Sequence, residues 1–321
     1  MGEFDLIARY FTRPARRNPL GVGDDCALLQ PAPGMQLAVS TDLLVEGRHF
    51  LPTVDARSLG HKSLAVNLSD LAACGAQPLA FTLSLALPHI DEPWLAAFSE
   101  GLFALADAHD CELVGGDTTR GPLTIGITVF GEVPIGQALL RSGARAGDAL
   151  WVSGTLGDAR LALEAIRGTV SLPQDVFAAA QERMDRPTPR IALGLALRGI
   201  ATSAIDVSDG LLGDVGHVLE RSGVGATVDA DCAPQLLAAV RSGLQLPLAR
   251  LQECVFAGGD DYELAFTARP DREAEVLAAA RRANTPVTRI GTLTAEPGLR
   301  LRDAQGRTLA QDFAGFDHFR A

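Results

Sequence analysis

The chain has 321 residues, 47% of them hydrophobic, with 28 basic against 39 acidic side chains and a formal net charge of −11. That length holds two domains of ordinary size, the apolar fraction excludes a disordered chain, and the negative balance offers nothing to a nucleic-acid backbone or an anionic membrane. No run approaches about 18 uninterrupted apolar residues, and the opening Met1 to Ile7 has no basic stretch followed by an apolar one, so the expected location is cytoplasmic.

In chain order, the first informative segment is the glycine-rich turn Gly21-Val-Gly-Asp-Asp25. Leu37 to Ser40 reads as a short apolar strand that delivers Thr41 and Asp42 at its end. Leu59 to Cys74 reads as a helix, with Leu64, Leu68, Leu71 and Ala72 on a buried stripe and Gly75 as its stop. Ser63, Asn67 and Asp70 recur at i, i+4 and i+7 on a different stripe, so an amide and a carboxylate point the same way. Phe81 to Leu87 is a strand closed by Pro88. Asp91 and Pro93 then open a helix that runs to about His109. Leu113 and Val114 form a strand ending in Gly115, Gly116 and Asp117, and Thr124 to Val133 alternates as another. Asp42 and Asp117 thus both follow short apolar runs, and open sheets gather ligands at strand ends.

Apolar periodicity lapses between Pro134 and Arg145, where a domain boundary is expected. Beyond it come a strand from Ala149 to Val152, a turn bracketed by Gly154 and Gly157, and a helix from about Ala159. Ala204-Ile-Asp-Val-Ser-Asp-Gly210 precedes apolar residues at helical spacing, so Ser208 or Asp209 is expected to cap a helix with Asp206 on its approach. Gly258-Gly-Asp-Asp-Tyr-Glu-Leu264 runs into a strand. The five cysteines are scattered without a Cys-x-x-Cys pair and read as small core residues, not as a disulfide framework or zinc site.

Repeated aspartates on glycine-flanked turns repel one another unless cations bridge them, and hard cations with oxygen ligands are the natural partners. Glycine turns also let backbone N–H groups approach phosphate. The combination points to a metal–nucleotide site. Of the 28 basic residues only Lys62 is a lysine, leaving 27 arginines, so a phosphate loop of the Gly-x-x-x-x-Gly-Lys type is absent, as are the protein-kinase motifs. An isolated Gly-Asp is most often a plain turn and Ser-Asp a plain helix cap. The ordered ensemble carries the argument.

Read in order, Gly-Val-Gly-Asp-Asp-Cys-Ala, Ser-Thr-Asp-Leu-Leu-Val-Glu-Gly-Arg-His-Phe, Ala-Val-Asn-Leu-Ser-Asp, Gly-Gly-Asp-Thr-Thr, Asp-Val-Ser-Asp-Gly-Leu and Gly-Gly-Asp-Asp-Tyr-Glu-Leu resemble the thiamine-monophosphate kinase family. That family belongs with aminoimidazole ribonucleotide synthetase, selenophosphate synthetase and a hydrogenase-maturation protein. The resemblance implies a two-domain α/β (α+β) fold. Residues 1–136 would form a mixed sheet with helices that binds ATP and magnesium and pairs in a homodimer, and residues 137–321 an α/β domain completing the substrate site. It implies magnesium ligands at Asp25, Ser40, Thr41, Asp42, Asp70, Asp117, Asp206 and Asp209, with Asp42, Asp70, Asp117 and Asp206 central to catalysis. Gly116, Asp117, Arg141 and Ser208 would contact ATP, while His49, Asp260 and Phe316 would line the thiamine-phosphate pocket. Family sequences often carry Glu at the Asp260 position and Tyr or Trp at the Phe316 position. The implied reaction is direct in-line transfer of the ATP γ-phosphoryl group to thiamine monophosphate, the last step in making thiamine diphosphate. Rival readings are another ATP-using enzyme of the superfamily and a nucleotide-binding regulator without catalysis. Against two such relatives, no lysine precedes Lys62 and the chain ends in His-Phe-Arg-Ala, not in cysteine.

Overall fold

Alternating apolar residues on four segments near the N-terminus build a mixed sheet, and the computed structural model describes residues 2–23, 25–309 and 313. The first unit (Met1–Leu71 and Ala76–Gly136) contains α1 (Glu3–Tyr10), β1 (Met35–Val45), most of α2 (Ala56–Cys74), β2 (Gln77–Leu87), α3 (Glu92–Ala108), β3 (Glu112–Arg120) and β4 (Thr124–Pro134). Strand order is β1-β4-β2-β3, with β2 and β3 parallel and the other pairs antiparallel.

Leu64, Leu68, Leu71 and Ala72 of α2 are all at most 1% exposed, as their spacing predicts. Two residues of the polar stripe are buried too: Ser63 and Asn67 are 0% exposed, their side chains donating to the Leu59 and Ser63 carbonyls. Lys62 is 2% exposed on the same helix, so the one lysine is a core residue and not a phosphate-loop cation. Gly60 and Gly101 let α2 and α3 touch backbone to backbone, since a Cβ at Gly60 would lie 2.0 Å from the Phe98 carbonyl oxygen. Asp91 caps α3 by accepting from the Trp94 N–H at 3.2 Å.

Two strands depart from expectation. β1 does not stop at Ser40, and β3 does not stop at Val114; each continues through its aspartate, placing Asp42 opposite Ile127 and Asp117 opposite Ser84. Asp42 and Asp117 therefore stand within strands, not at strand ends. Ladder hydrogen bonds to neighbouring strands outweigh the weak intrinsic strand preference of Gly, Asp and Thr. Alternation along β1 turns Ala38, Ser40, Asp42 and Leu44 toward the helices and Leu37, Val39, Thr41 and Leu43 outward. The outward leucines and valine are 41 to 58% exposed.

The second unit (Ala72–Gly75 and Gln137–Ala321) runs β5 (Ala149–Ser153), α4 (Asp158–Ile166), α5 (Gln174–Asp185), α6 (Ile191–Leu197), β6 (Ala201–Val207), α7 (Leu211–Ser222), β7 (Gly225–Asp229), α8 (Ala233–Leu236), α9 (Ala238–Arg241), α10 (Leu248–Ala257), β8 (Glu263–Ala268), α11 (Glu273–Arg282), β9 (Val287–Thr294) and β10 (Gly298–Arg302). Its sheet is six-stranded and mixed, in the order β10-β7-β9-β5-β8-β6. The core packs Val152, Val207, Leu211, Val215, Val255 and Phe256 together.

Cys111, Cys232 and Cys254 are buried core residues, and burial pushes all three thiols up, those of Cys232 and Cys254 to about 12. Cys26 is exposed and Cys74 half-buried, so the core reading fails for Cys26, which sits on a bend beside the exposed Asp25. No described helix is long and apolar enough to cross a membrane.

Candidate active site

In the first unit, the site grows from β1 meeting the polar stripe of α2. Ser40 Oγ donates to Asp70 Oδ2 at 2.5 Å, bridging 30 residues of sequence. Two residues along β1, the Asp42 N–H donates to Asn67 Oδ1 at 3.1 Å. Asn67 is itself held by its bond to the Ser63 carbonyl, so a buried, fully oriented amide sets the backbone beneath Asp42. Ser40, Asp42 and Asp70 are half-buried on this one side. Thr41 points the other way, its hydroxyl sharing a hydrogen bond with Thr128 at 2.9 Å. A metal bond from Thr41 on the Asp42 side would have to come from its carbonyl.

Asp117 lies on the far edge strand. Asp42 pairs with Ile127, Ile127 with Leu83 and Leu83 with Gly116, which separates the two aspartates by three inter-strand spacings, roughly 14 Å. By register with the exposed Ser84, Asp117 is on the outward face, opposite the side of Asp42. Within one chain the two carboxylates cannot share an ion whose ligand bonds are about 2.1 Å long. Gly116 beside it has φ 146° and runs so close to β2 that a Cβ would lie 1.8 Å from the Leu83 carbonyl oxygen. Only glycine fits there, which leaves bare backbone exposed at that point. Asp25 is exposed on its turn. His49 Nδ1 accepts the Val45 N–H at 3.0 Å, which places the proton of the neutral ring on Nε2.

The second unit builds its own cluster where β6 ends. Asp206 is 6% exposed and opposite Leu264; Ser208 and Asp209 follow on the turn into α7. Neither caps the helix: the N-cap is Gly210, which has no side chain to do so. Instead Asp214, inside the first turn of α7, accepts the Ser208 and Asp209 N–H groups on one oxygen, Oδ2, at 3.0 and 3.1 Å. Burial pushes the Asp214 carboxyl up to about 7, with the nearby Asp209 charge adding to the rise and Arg141 opposing it. Asp214 escaped the sequence reading because an acidic residue in a first helical turn is ordinarily a dipole partner.

The same turn is held from the other side. The Asp260 N–H donates to the Ser208 carbonyl and the Tyr262 N–H to the Val207 carbonyl, both at 2.8 Å. Asp260 and Tyr262 adopt φ 69° and 51°, left-handed conformations unusual for non-glycine residues, and the Tyr262 hydroxyl donates to Asp260 Oδ1 at 3.1 Å. Between them Asp261 is 2% exposed, both its oxygens taking the Gly157 N–H, and burial raises its pKa well above the carboxylate range. Arg141 lines a cleft of about 530 Å³ with Arg221, His217 and Glu220. Phe316 lies outside the described residues.

The donors are carboxylates, hydroxyls and carbonyls, the hard oxygen set that suits magnesium, so the residues fit the ion by chemistry. Among the described residues no three His, Cys, Asp or Glu side chains converge to hold an ion by themselves. Magnesium commonly binds one or two carboxylates and takes its other ligands from water and substrate phosphate, which matches pairs such as Ser40 and Asp70.

Residues 23–133 match the family model for the N-terminal domain of AIR synthase related proteins, and residues 145–304 match its C-terminal domain. The thiamine-monophosphate kinase of Salmonella typhimurium strain LT2 is 46% identical over 325 residues, covering 99% of this chain and 98% of that protein. The chain belongs to the thiamine-monophosphate kinase family. Among solved structures, the family member from Stenotrophomonas maltophilia K279a superposes with a TM-score of 0.83 at 46% identity, covering 93% of this chain and 94% of that one. A further thiamine-monophosphate kinase structure, AaThiL complexed with AMPPCP and TMP, gives a TM-score of 0.74 at 29% identity, covering 90% and 89%.

Proposed function

We propose that this protein transfers the γ-phosphoryl group of ATP to the phosphate of thiamine monophosphate, producing thiamine diphosphate and ADP. The observation that carries the reading is the Ser40–Asp70 and Asp42–Asn67 constellation, set within a chain that is similar throughout its length to kinases of this substrate. A phosphate monoester is largely ionised near neutral pH, so the nucleophile needs no strong general base. The barrier is repulsion between two polyanions. Magnesium, when bound, would supply the positive charge that offsets this repulsion.

The chain's own residues do the rest. Asp25, Ser40, Asp42, Asp70 and Asp117 in the first unit, and Asp206 and Asp209 in the second, would hold the ions, with Thr41 offering its carbonyl or its outward hydroxyl. Within one chain Asp42 and Asp117 stand too far apart to share an ion. Gly116 gives phosphate access to backbone N–H groups, while Ser208 and the Arg141 guanidinium contact the nucleotide. His49, through Nε2, is a proposed contact for thiamine phosphate, and so is Asp260.

The direct test is ADP release by purified protein with ATP and magnesium, comparing thiamine monophosphate with free thiamine and aminoimidazole precursors, with the product identified. Thiamine diphosphate formed from the monophosphate alone is the expected result. Turnover only with another acceptor would make this a different enzyme of the superfamily, and saturable ATP binding without turnover a regulator.

The working unit is a homodimer. Leu37, Val39 and Leu43 present an apolar stripe on the outward face of β1, an edge strand, and such a stripe invites a second copy. Val39→Asp combined with Leu43→Asp is expected to convert the dimer to monomer in analytical ultracentrifugation, with the circular dichroism spectrum retained. An unchanged sedimentation coefficient would place the interface elsewhere.

A further inference from the structure

Asp214 is 5% exposed and lies outside every residue assigned so far to metal or substrate. Its hydrogen bonds are informative because of where they go. A capping acid satisfies N–H groups of the first helical turn, whereas Asp214 reaches backwards past the N-cap Gly210 to the N–H groups of Ser208 and Asp209. Those two residues belong to the turn that follows Asp206, and the opposite side of that turn is held by the Asp260 and Tyr262 N–H groups. Two neighbouring N–H groups aimed at one oxygen fix the successive peptide planes, and with them the directions of the Ser208 and Asp209 side chains. A buried acceptor with two donors is a geometric device that depends on the position of Oδ2.

We infer that Asp214 is a positioning residue for the nucleotide-and-metal turn at Ser208 and Asp209, acting through the placement of Oδ2 on their N–H groups. The inference rests on the kinase reading, in which that turn contacts magnesium and ATP. Asp214 touches neither; it sets how well the turn does.

Two substitutions separate placement from charge. Asp214→Asn loses the charge but presents a carbonyl oxygen in nearly the same place, whereas Asp214→Glu keeps the charge and moves the oxygens by one methylene. Binding of AMPPCP is measured by titration calorimetry across magnesium concentrations, beside kcat, KM for ATP and the thermal unfolding midpoint. The expected result is that Asp214→Asn stays within threefold of wild type. Asp214→Glu should raise the half-saturating magnesium concentration and the AMPPCP dissociation constant at least tenfold, with kcat at saturation changing far less. Asp214→Asn impaired as much as Asp214→Glu, or wild-type binding by Asp214→Glu, would overturn the inference. Failure of the unmodified protein to bind AMPPCP with magnesium would instead remove the kinase reading beneath it.

Discussion

Asp42→Asn is expected to lower kcat at least a hundredfold while moving the thermal unfolding midpoint by no more than a few degrees. The two effects separate because different atoms of Asp42 carry them. Its N–H donates to Asn67 Oδ1, and that bond, like the ladder to β4, survives the substitution. The side chain is half-buried and asparagine has its shape, so the substitution opens no cavity and keeps the packing around it. The carboxylate charge is another matter. Unit charges roughly 4 Å apart interact by about 4 kcal/mol at an effective dielectric of about 20. Because each 1.4 kcal/mol or so of barrier is about tenfold in rate, a weakened ion contact of that size has room for a thousandfold effect. The measurement is kcat as a function of magnesium concentration. Wild-type rate at limiting magnesium would remove Asp42 from the set that holds the ions.

Glu263→Ala is expected to have the opposite signature, a large loss of stability from a fully buried residue. Glu263 is 0% exposed at the start of β8 and meets the guanidinium of Arg183 at 2.8 Å, that of Arg190 through Nε at 2.6 Å, and the Ser153 hydroxyl at 2.5 Å. Ser153 Oγ in turn accepts the Leu264 N–H at 2.9 Å, so the carboxylate anchors the link between β5 and β8. Burial alone would lower the Arg190 pKa, yet its hydrogen bond and charge contact with Glu263 hold it above the ordinary arginine value. Truncation leaves two guanidinium groups, 21% and 16% exposed, without their shared counter-charge. Breaking a buried pair by removing one partner typically costs about 3–5 kcal/mol, a large part of the roughly 5–15 kcal/mol that holds a domain folded. Urea unfolding should show the midpoint falling sharply for Glu263→Ala, and a midpoint unchanged from wild type would mean that the cluster adds nothing.

The buried Glu263 shows what local pattern leaves out. The sequence marks it as a strand residue next to Asp260 and Asp261, but its arginine partners stand 73 and 80 residues earlier, on segments that nothing local ties to β8. Asp214 was hidden for a related reason, since a first-turn acid looks the same whether it faces solvent or reaches backwards to a turn. The ends of β1 and β3 are not legible locally, because glycine, aspartate and threonine read as turn while pairing partners on β4 and β2 carry the ladder through them. By contrast, the α2 stripes, the Asp91 cap and the strand at 124–134 were legible, because spacing along a single element decides them.

What the sequence by itself determined was the chemistry and the family. Oxygen donors repeated on glycine turns, the lack of a lysine phosphate loop and the order of six motifs are all properties of the linear chain. Tertiary structure alone decided which of those oxygens meet. Ser40 reaches Asp70 across 30 residues, Asn67 sets the backbone of Asp42, and Asp42 and Asp117 fall on opposite edges and opposite faces of one sheet. The physical reason is that residue type fixes what an atom can bond, whereas strand order, register and the alternation of side chains across a sheet fix what lies within reach of it.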